Sequence, residues 1–330
     1  MNIKIEINKH DLGFSPKRVR SLLLKLSQID IVKSSDTLEI NLNFDKKEAN
    51  ELSTAIIWKR LNEAKDLSCK KNIKYKGGTT EKYFNERHFF DSLTGKKLIL
   101  QSPTVPINYE TFSPIRPTHD ANQNSEINKI FAESTNGILD PKNEFEKEVR
   151  VHMVECVQNA FDHSESMGTK LAGIICSLDK EKKMLDFCII DVGQGIRKSF
   201  LSNPFLKESY LKLDDCEAIV QATRKNISCN PSSYPNPAYT FSNGGIGLYY
   251  LNKFIQMHPT SSMVIVSDKG YYYTEHGSDK EKLAKLTIKW PGTIVYFRIK
   301  LGQNKSDTYR ALGATYVEEF DNRDINGIIV

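Results

Sequence analysis

No apolar run in these 330 residues approaches the ~20 needed to span a bilayer as a helix, so helical membrane proteins are not the expected class. The opening Met1-Asn-Ile-Lys-Ile-Glu-Ile7 alternates like a strand and lacks the apolar centre of a secretory signal. The six cysteines (Cys69, Cys156, Cys176, Cys188, Cys216, Cys229) never form a Cys-x-x-Cys pair. Cys156, Cys176 and Cys188 sit in apolar runs, where a thiol behaves as a small buried hydrophobe, and a reduced, cytoplasmic setting fits. Charge of one sign is also missing. Lys and Arg exceed Asp and Glu by 46 − 41 = 5 without clustering, so a nucleic-acid partner is not expected. Apart from His163, the histidines show no metal-ligand spacing, and a satisfied or solvated imidazole is the expectation for each.

The length suits two ordinary domains with a substantial core. Residues 1–100 read as a small α/β unit. Ile3, Ile5 and Ile7 alternate, Val19 to Leu26 suggests a helix, and Leu38 to Phe44 alternates again. Asp45 to about Leu67 has helical spacing, with Ala49, Leu52, Ile56 and Leu61 on its apolar side. Asn72 to Tyr75 is a short strand, and Glu81 to Leu93 a further helix. Residues 101–135, broken by Pro103, Pro106, Pro114 and Pro117, read as a linker. Residues 136–302 form the second unit. Asp140-Pro141 offers a cap and a first-turn proline for a helix, and 170–178 and 184–190 suit a hairpin. Gly247 to Met257 suits a helix. Ser262 to Ser267, Ala284 to Trp290 and Thr293 to Lys300 suit strands. The tail 303–330 is polar.

Four segments carry the chemistry. Glu155 and Asn159 lie four residues apart, with Asp162 and His163 a turn further on, while Val151, Val154, Val157, Ala160 and Phe161 can bury the rest of the helix. A carboxylate beside a carboxamide is poor core material but a good setting for a hydrated divalent cation. An apolar strand then delivers Asp191, followed by Gly193 and Gly195, which let the backbone turn close to a ligand. Asn243, Gly244, Gly245, Ile246 and Gly247 precede a helix, and a helix start with open amides can cradle phosphate. That loop lacks the Gly-Lys-Ser/Thr ending of a Walker motif and the Rossmann spacing. Pro291-Gly292-Thr293 closes the series.

In that order these segments resemble the gyrase, heat-shock chaperone, histidine-kinase and MutL superfamily (GHKL ATPases). Glu155 and Asn159 match its Glu-x-x-x-Asn box. Asp191, Gly193 and Gly195 match its Asp-x-Gly-x-Gly box, Gly245, Gly247 and Leu248 its second glycine box, and Gly292 and Thr293 its closing Gly-Thr. The resemblance implies an α+β fold of Bergerat type, with helices on one face of a mixed sheet, preceded here by the smaller α/β unit. The order of that first unit loosely resembles a STAS-like domain. ATP and Mg²⁺ are the implied cofactors. By the resemblance, Asp191, helped by Thr293, accepts from the adenine amine, and Asn159 coordinates Mg²⁺. Glu155 orients or deprotonates water. Asp162, His163, Gly193, Gly195, Ile196, Asn243, Gly244, Gly245, Ile246, Gly247 and Leu248 line the nucleotide. Residues 197–243 fall at the family's ATP lid and show little helical periodicity. The expected function is a regulatory ATP-binding protein with slow Mg²⁺-dependent hydrolysis, read through lid closure by a protein partner or second copy. An anti-sigma-type serine/threonine kinase and a non-catalytic adenine-nucleotide sensor are the alternatives.

Overall fold

The alternation at the start of the chain builds a parallel sheet. β1 (Asn2–Asn8), β2 (Thr37–Asn43) and β3 (Lys70–Tyr75) pair in that order, with α1 (Pro16–Leu26) and α2 (Glu51–Lys65) as the crossovers. The computed structural model describes residues 2–44, 48–65, 69–75, 111–115, 138–140, 142–163, 172–191, 193–203, 207–224, 247–278 and 280–302. Ile3, Ile5, Ile7, Leu38, Ile40 and Leu42 are buried on one face of this sheet, while Asn2, Lys4 and Glu6 are exposed on the other. Ser15 caps α1 by accepting from the Arg18 amide, and Pro16 occupies the first turn, where its missing N–H costs no helix hydrogen bond.

The second sheet has five strands. β4 (Thr111–Ile115), β5 (Ala172–Asp179), β6 (Met184–Asp191), β7 (Ser262–Glu275) and β8 (Lys282–Lys300) lie in the order β4-β5-β6-β8-β7. Every described pairing is antiparallel, where a mixed sheet was expected. Short connections account for two of the four pairings, β5 with β6 and β7 with β8, because a hairpin such as 179–184 reverses the chain; β4 with β5 and β6 with β8 join strands far apart in sequence.

Five further helices follow the same chain: α3 (Glu144–His163), α4 (Ile196–Ser202), α5 (Lys207–Tyr210), α6 (Asp215–Ala222) and α7 (Gly247–Met257). Leu185, Phe187, Ile189, Ile265, Val295 and Phe297 point from the sheet into a core shared with α3, α4, α6 and α7. Their strand neighbours Cys188, Ile190, Val264, Val266, Ile294 and Tyr296 point the other way, into a core shared with α1 and α2. Helices therefore cover both faces, not one. The fold is α+β in four layers: parallel sheet, α1 and α2, antiparallel sheet, and the remaining helices. α2 is buried all round from Glu51 to Lys59, as a helix between two sheets must be, where a single apolar side was expected.

Several local expectations change. Thr111–Ile115, inside the supposed linker, is the edge strand β4; Pro114 is tolerated at an edge because one side of the strand needs no partner. The cap of α3 is Asn143, whose Oδ1 accepts from Phe145 and Glu146 at 3.0 and 3.2 Å, and not Asp140. Val151 is 57% exposed instead of buried, because Phe145, Val149, Met153, Cys156 and Ala160 define the inward face. The two strands expected at 284–290 and 293–300 are one strand, interrupted by an irregularity at Pro291–Gly292. The first half of the supposed lid is packed helix: Phe200, Tyr210, Ala218 and Ile219 are all buried. Asp214 caps α6 by accepting from Glu217, whose own carboxylate returns to the Asp214 amide. The expected helix 81–93, the rest of the linker, residues 225–243 of the lid and the tail 303–330 lie outside the described residues. Among the described residues no helix is long and apolar enough to cross a membrane.

Candidate functional site

Strand β6 is buried from Leu185 to its last residue, Asp191. At that end Asp191 Oδ1 accepts the amides of Gly193 at 2.7 Å and of Thr293, 102 residues away, at 3.0 Å. The Asp-x-Gly segment and the Gly-Thr segment thus meet through one carboxylate oxygen. Burial pushes the Asp191 carboxyl up to about 7, opposed by the Gly193 and Thr293 amides and by the positive charge of Lys59. Both amides land on Oδ1, and the Thr293 side chain hydrogen-bonds the same carboxyl.

The close approach depends on Gly292. Its φ is +93°, and a Cβ there would lie 2.7 Å from Asp191 Oδ1 and collide with the Asp191 carbonyl. Ser267 of β7 stands opposite Thr293, and Asp268 stands opposite Trp290, so Pro291 and Gly292 bulge out between the two pairs. The buried Ser267 Oγ accepts from the Ile196 amide at 2.9 Å and donates to the Gly292 carbonyl at 3.3 Å. One hydroxyl therefore ties the start of α4 to the bulge. Asp268, itself at φ 50°, pairs with Lys289 at 2.9 Å. Neither Ser267 nor Asp268 stood out in the sequence, where Ser-Asp at a strand end is ordinary turn composition.

The second group is on α3. Glu155 and Asn159 are half-buried and face Gly247, the first residue of α7. A Cβ on Gly247 would sit 3.0 Å from Glu155 Oε2 and 3.5 Å from Asn159 Nδ2, so a side chain here would crowd both. The carboxylate and carboxamide thus lie at the positive end of a helix, where free amides favour negative charge. Leu248 is half-buried and packs on the helical core. The backbone of Asp162 and His163 ends α3, and their side chains lie outside the described residues, as do Asn243, Gly244, Gly245 and Ile246.

Among the described residues no group of three or more His, Cys, Asp or Glu is arranged to hold a metal ion.

The chain matches no protein-family model and no curated protein.

Two histidines depart from expectation. His152 and His258 are buried where α3 meets α7, beside Phe254 at 4.9 and 5.0 Å between ring centroids. His152 Nε2 and both ring nitrogens of His258 lack hydrogen-bond partners, and burial pushes both imidazoles down to about 4. Neither is solvated. His152 Nε2 lies 4.0 Å from Glu148, whose own carboxyl burial pushes up to about 7.

Proposed function

We propose that residues 136–302 bind ATP in the manner of GHKL proteins on a Bergerat-type framework, and that the chain is a regulatory ATPase that hydrolyses slowly with Mg²⁺. The observation that carries this reading is Asp191, a buried acceptor held through Oδ1 by the amides of Gly193 and Thr293. A carboxylate fixed in this way accepts a hydrogen bond from the adenine amine; guanine offers a carbonyl at the same position and is refused. Gly193, Gly195 and Ile196 continue from that aspartate, and Ser267 keeps Ile196 in register with the Gly292 bulge.

Gly247 and Leu248, with Asn243 to Ile246 ahead of them, would take the phosphates at the positive end of α7. Asn159 would offer its carboxamide oxygen to Mg²⁺, whose charge would offset that of the phosphates. Glu155 would orient or deprotonate the attacking water. Adenine recognition needs the ionised form of Asp191, whose carboxyl titrates at about 7. ATP affinity therefore falls as pH drops below about 7. A protein partner or a second copy of the chain reads the nucleotide state.

Calorimetry with ATP, GTP and Mg²⁺ tests the reading. The parent binds ATP and binds GTP much more weakly. Asp191→Asn loses about 10- to 100-fold in ATP affinity, the range for one hydrogen bond to a charged group. Equal ATP affinity in parent and variant removes the adenine assignment. With γ-labelled ATP, free phosphate is the expected product, and Glu155→Ala lowers its release by ~10²-fold with binding retained. Label on protein would instead identify a serine/threonine kinase, and bound but unconverted ATP a nucleotide sensor.

A further inference from the structure

Three consecutive residues of β7, where its register with β8 shifts, hold the chain around the candidate site. Ser267 is 1% exposed, and its Oγ meets two segments at once. On one side is the Ile196 amide at 2.9 Å; on the other are the Gly292 carbonyl at 3.3 Å and the Thr293 hydroxyl at 3.4 Å. Asp268 lies against Gly195, where a Cβ would sit 2.5 Å from Asp268 Oδ2 and 3.1 Å from Ser267 Oγ. Its Oδ1 pairs with Lys289 at 2.9 Å, and the Lys269 amide donates to Asp215 Oδ2, in the first turn of α6, at 3.0 Å. The strand is therefore pinned on both sides at the point where it presents the Ser267 hydroxyl.

Asp191 joins the same two segments. Its Oδ1 accepts from Gly193, in the loop that ends at Ile196, at 2.7 Å, and from Thr293 at 3.0 Å. The 193–196 loop and the Gly292–Thr293 step are thus linked twice, by a carboxylate at one point and by a hydroxyl at another. With the carboxylate alone the two segments would pivot about Oδ1. The hydroxyl removes that freedom.

We propose that Ser267 is a positioning residue of the base site, holding the 193–196 loop and the Gly292–Thr293 step so that the Asp191 carboxylate keeps the orientation that accepts from the adenine amine. The role rests on the adenine reading of Asp191 above. A hydrogen bond weakens steeply once its angle falls below ~120°, so a carboxylate that turns loses the amine without leaving the pocket. The Gly193 and Thr293 amides fix that turn, and Ser267 fixes where the two amides stand relative to each other. An alanine at this position would leave the buried Ile196 amide and Gly292 carbonyl without their shared partner and free the two segments to drift apart. The rest of the nucleotide makes no use of this link. The effect of losing it is therefore confined to the 6-amine of the base.

The test uses the full chain and two nucleotides, ATP and purine riboside triphosphate, which lacks the 6-amine. Calorimetry gives the ratio of the two affinities, and that ratio reads the amine hydrogen bond alone. The parent should favour ATP by about 10-fold or more, the scale of a hydrogen bond to a charged group. Ser267→Ala should lower ATP affinity, and with it the ratio, by about fivefold, with affinity for purine riboside triphosphate retained. Val264→Ala, at a buried residue of the same strand that faces the other core, should keep the parent ratio. An equal loss for both nucleotides in Ser267→Ala marks packing alone and overturns the proposal, as does a ratio that Val264→Ala lowers as much. If Ser267→Ala does not fold, hydrogen exchange at the Ile196 and Thr293 amides of the parent serves instead. Slower exchange at both amides with ATP than with purine riboside triphosphate supports the link, and no difference overturns it. A parent with equal affinity for the two nucleotides, or none for either, removes the adenine reading and the positioning role with it. A parent that favours ATP by a ratio unmoved in Ser267→Ala removes the positioning role alone.

Discussion

The two sheets of this protein reverse the usual assignment of environments. Parallel sheets are ordinarily covered on both faces, and antiparallel sheets often leave one face to water. Here the three-stranded parallel sheet, among the described residues, is covered on one face and carries Lys4 and Glu6 exposed on the other, while the central strand of the antiparallel sheet, β6, is buried on both. The difference comes from sharing. α1 and α2 are the crossovers of the parallel sheet, and their far sides pack on the antiparallel one, through Ile175, Cys188, Ile190, Val264 and Tyr296. One helical layer serves two sheets. The contact carries polar detail as well: Phe14 stacks on Tyr296 at 4.9 Å between centroids, and the Arg298 guanidinium lies over Phe14 while holding Asp186.

The charges of the two sheets differ in the same sense. On the open face Glu6 and Glu39 are held below the usual carboxylate range by hydrogen bonds from Lys4 and Lys74. In the covered sheet burial raises the carboxyls, Asp186 to about 6 with Glu51 adding to the shift, and Asp191 to about 7. Lysine partners govern the more exposed carboxylates, among them Glu275 of β7 held low by Lys282, and desolvation governs the covered ones.

The comparison breaks most readily at Trp58, 1% exposed in the shared layer. Trp58→Ala should cost about 3–5 kcal/mol and lower a single urea transition seen alike by fluorescence and circular dichroism. Two separate transitions, with only one of them moved, would show that the sheets unfold independently.

A smaller effect, about 2 kcal/mol, concerns pH. Asp186 and Asp191 bind protons more tightly in the folded chain than in the unfolded one. The stability they contribute is therefore fully present below about pH 4 and is lost as pH rises through about 6 and about 7. His152 and His258, pushed down to about 4, act in the opposite sense between that value and 6.5, so the difference between variant and parent is the useful quantity. Asp191→Asn keeps an oxygen to accept from Gly193 and Thr293, and its stability relative to the parent should increase from pH 5 to pH 8 in urea titrations. A constant difference across that range would remove burial as the cause.

The smallest effect belongs to the open face. Glu6→Gln, which breaks the 2.7 Å pair with Lys4, should leave the melting temperature within error. A clear drop would mean that this face of the parallel sheet is not solvent-facing in solution.

Periodicity alone made much of this molecule legible. The two-residue alternation of Ile3, Ile5 and Ile7, the strand-turn-strand of 172–191 and the helix at Gly247–Met257 all formed as their patterns indicate, because each pattern needs only local backbone geometry and one buried side. Less legible was whatever depended on a distant segment. Thr111–Ile115 reads as linker because Pro103, Pro106, Pro114 and Pro117 interrupt the segment around it, and pairing with β5 at a sheet edge overrides that signal. Residues 196–222 read as loop because their helices are short, and burial of Phe200, Tyr210 and Ile219 holds them instead.

The order of apolar and polar residues, then, determined the strands, the main helices and the positions of Glu155, Asn159, Asp191, Gly247 and Thr293 along the chain. Only the tertiary structure decided that Thr293 and Gly193 share one oxygen of Asp191, that Ser267 joins the start of α4 to the bulge, and that Lys59 is buried over the Trp290 ring. A hydrogen bond across 102 residues leaves no periodic trace, and a lysine inside a helix reads as a solvated charge until a second sheet closes over it.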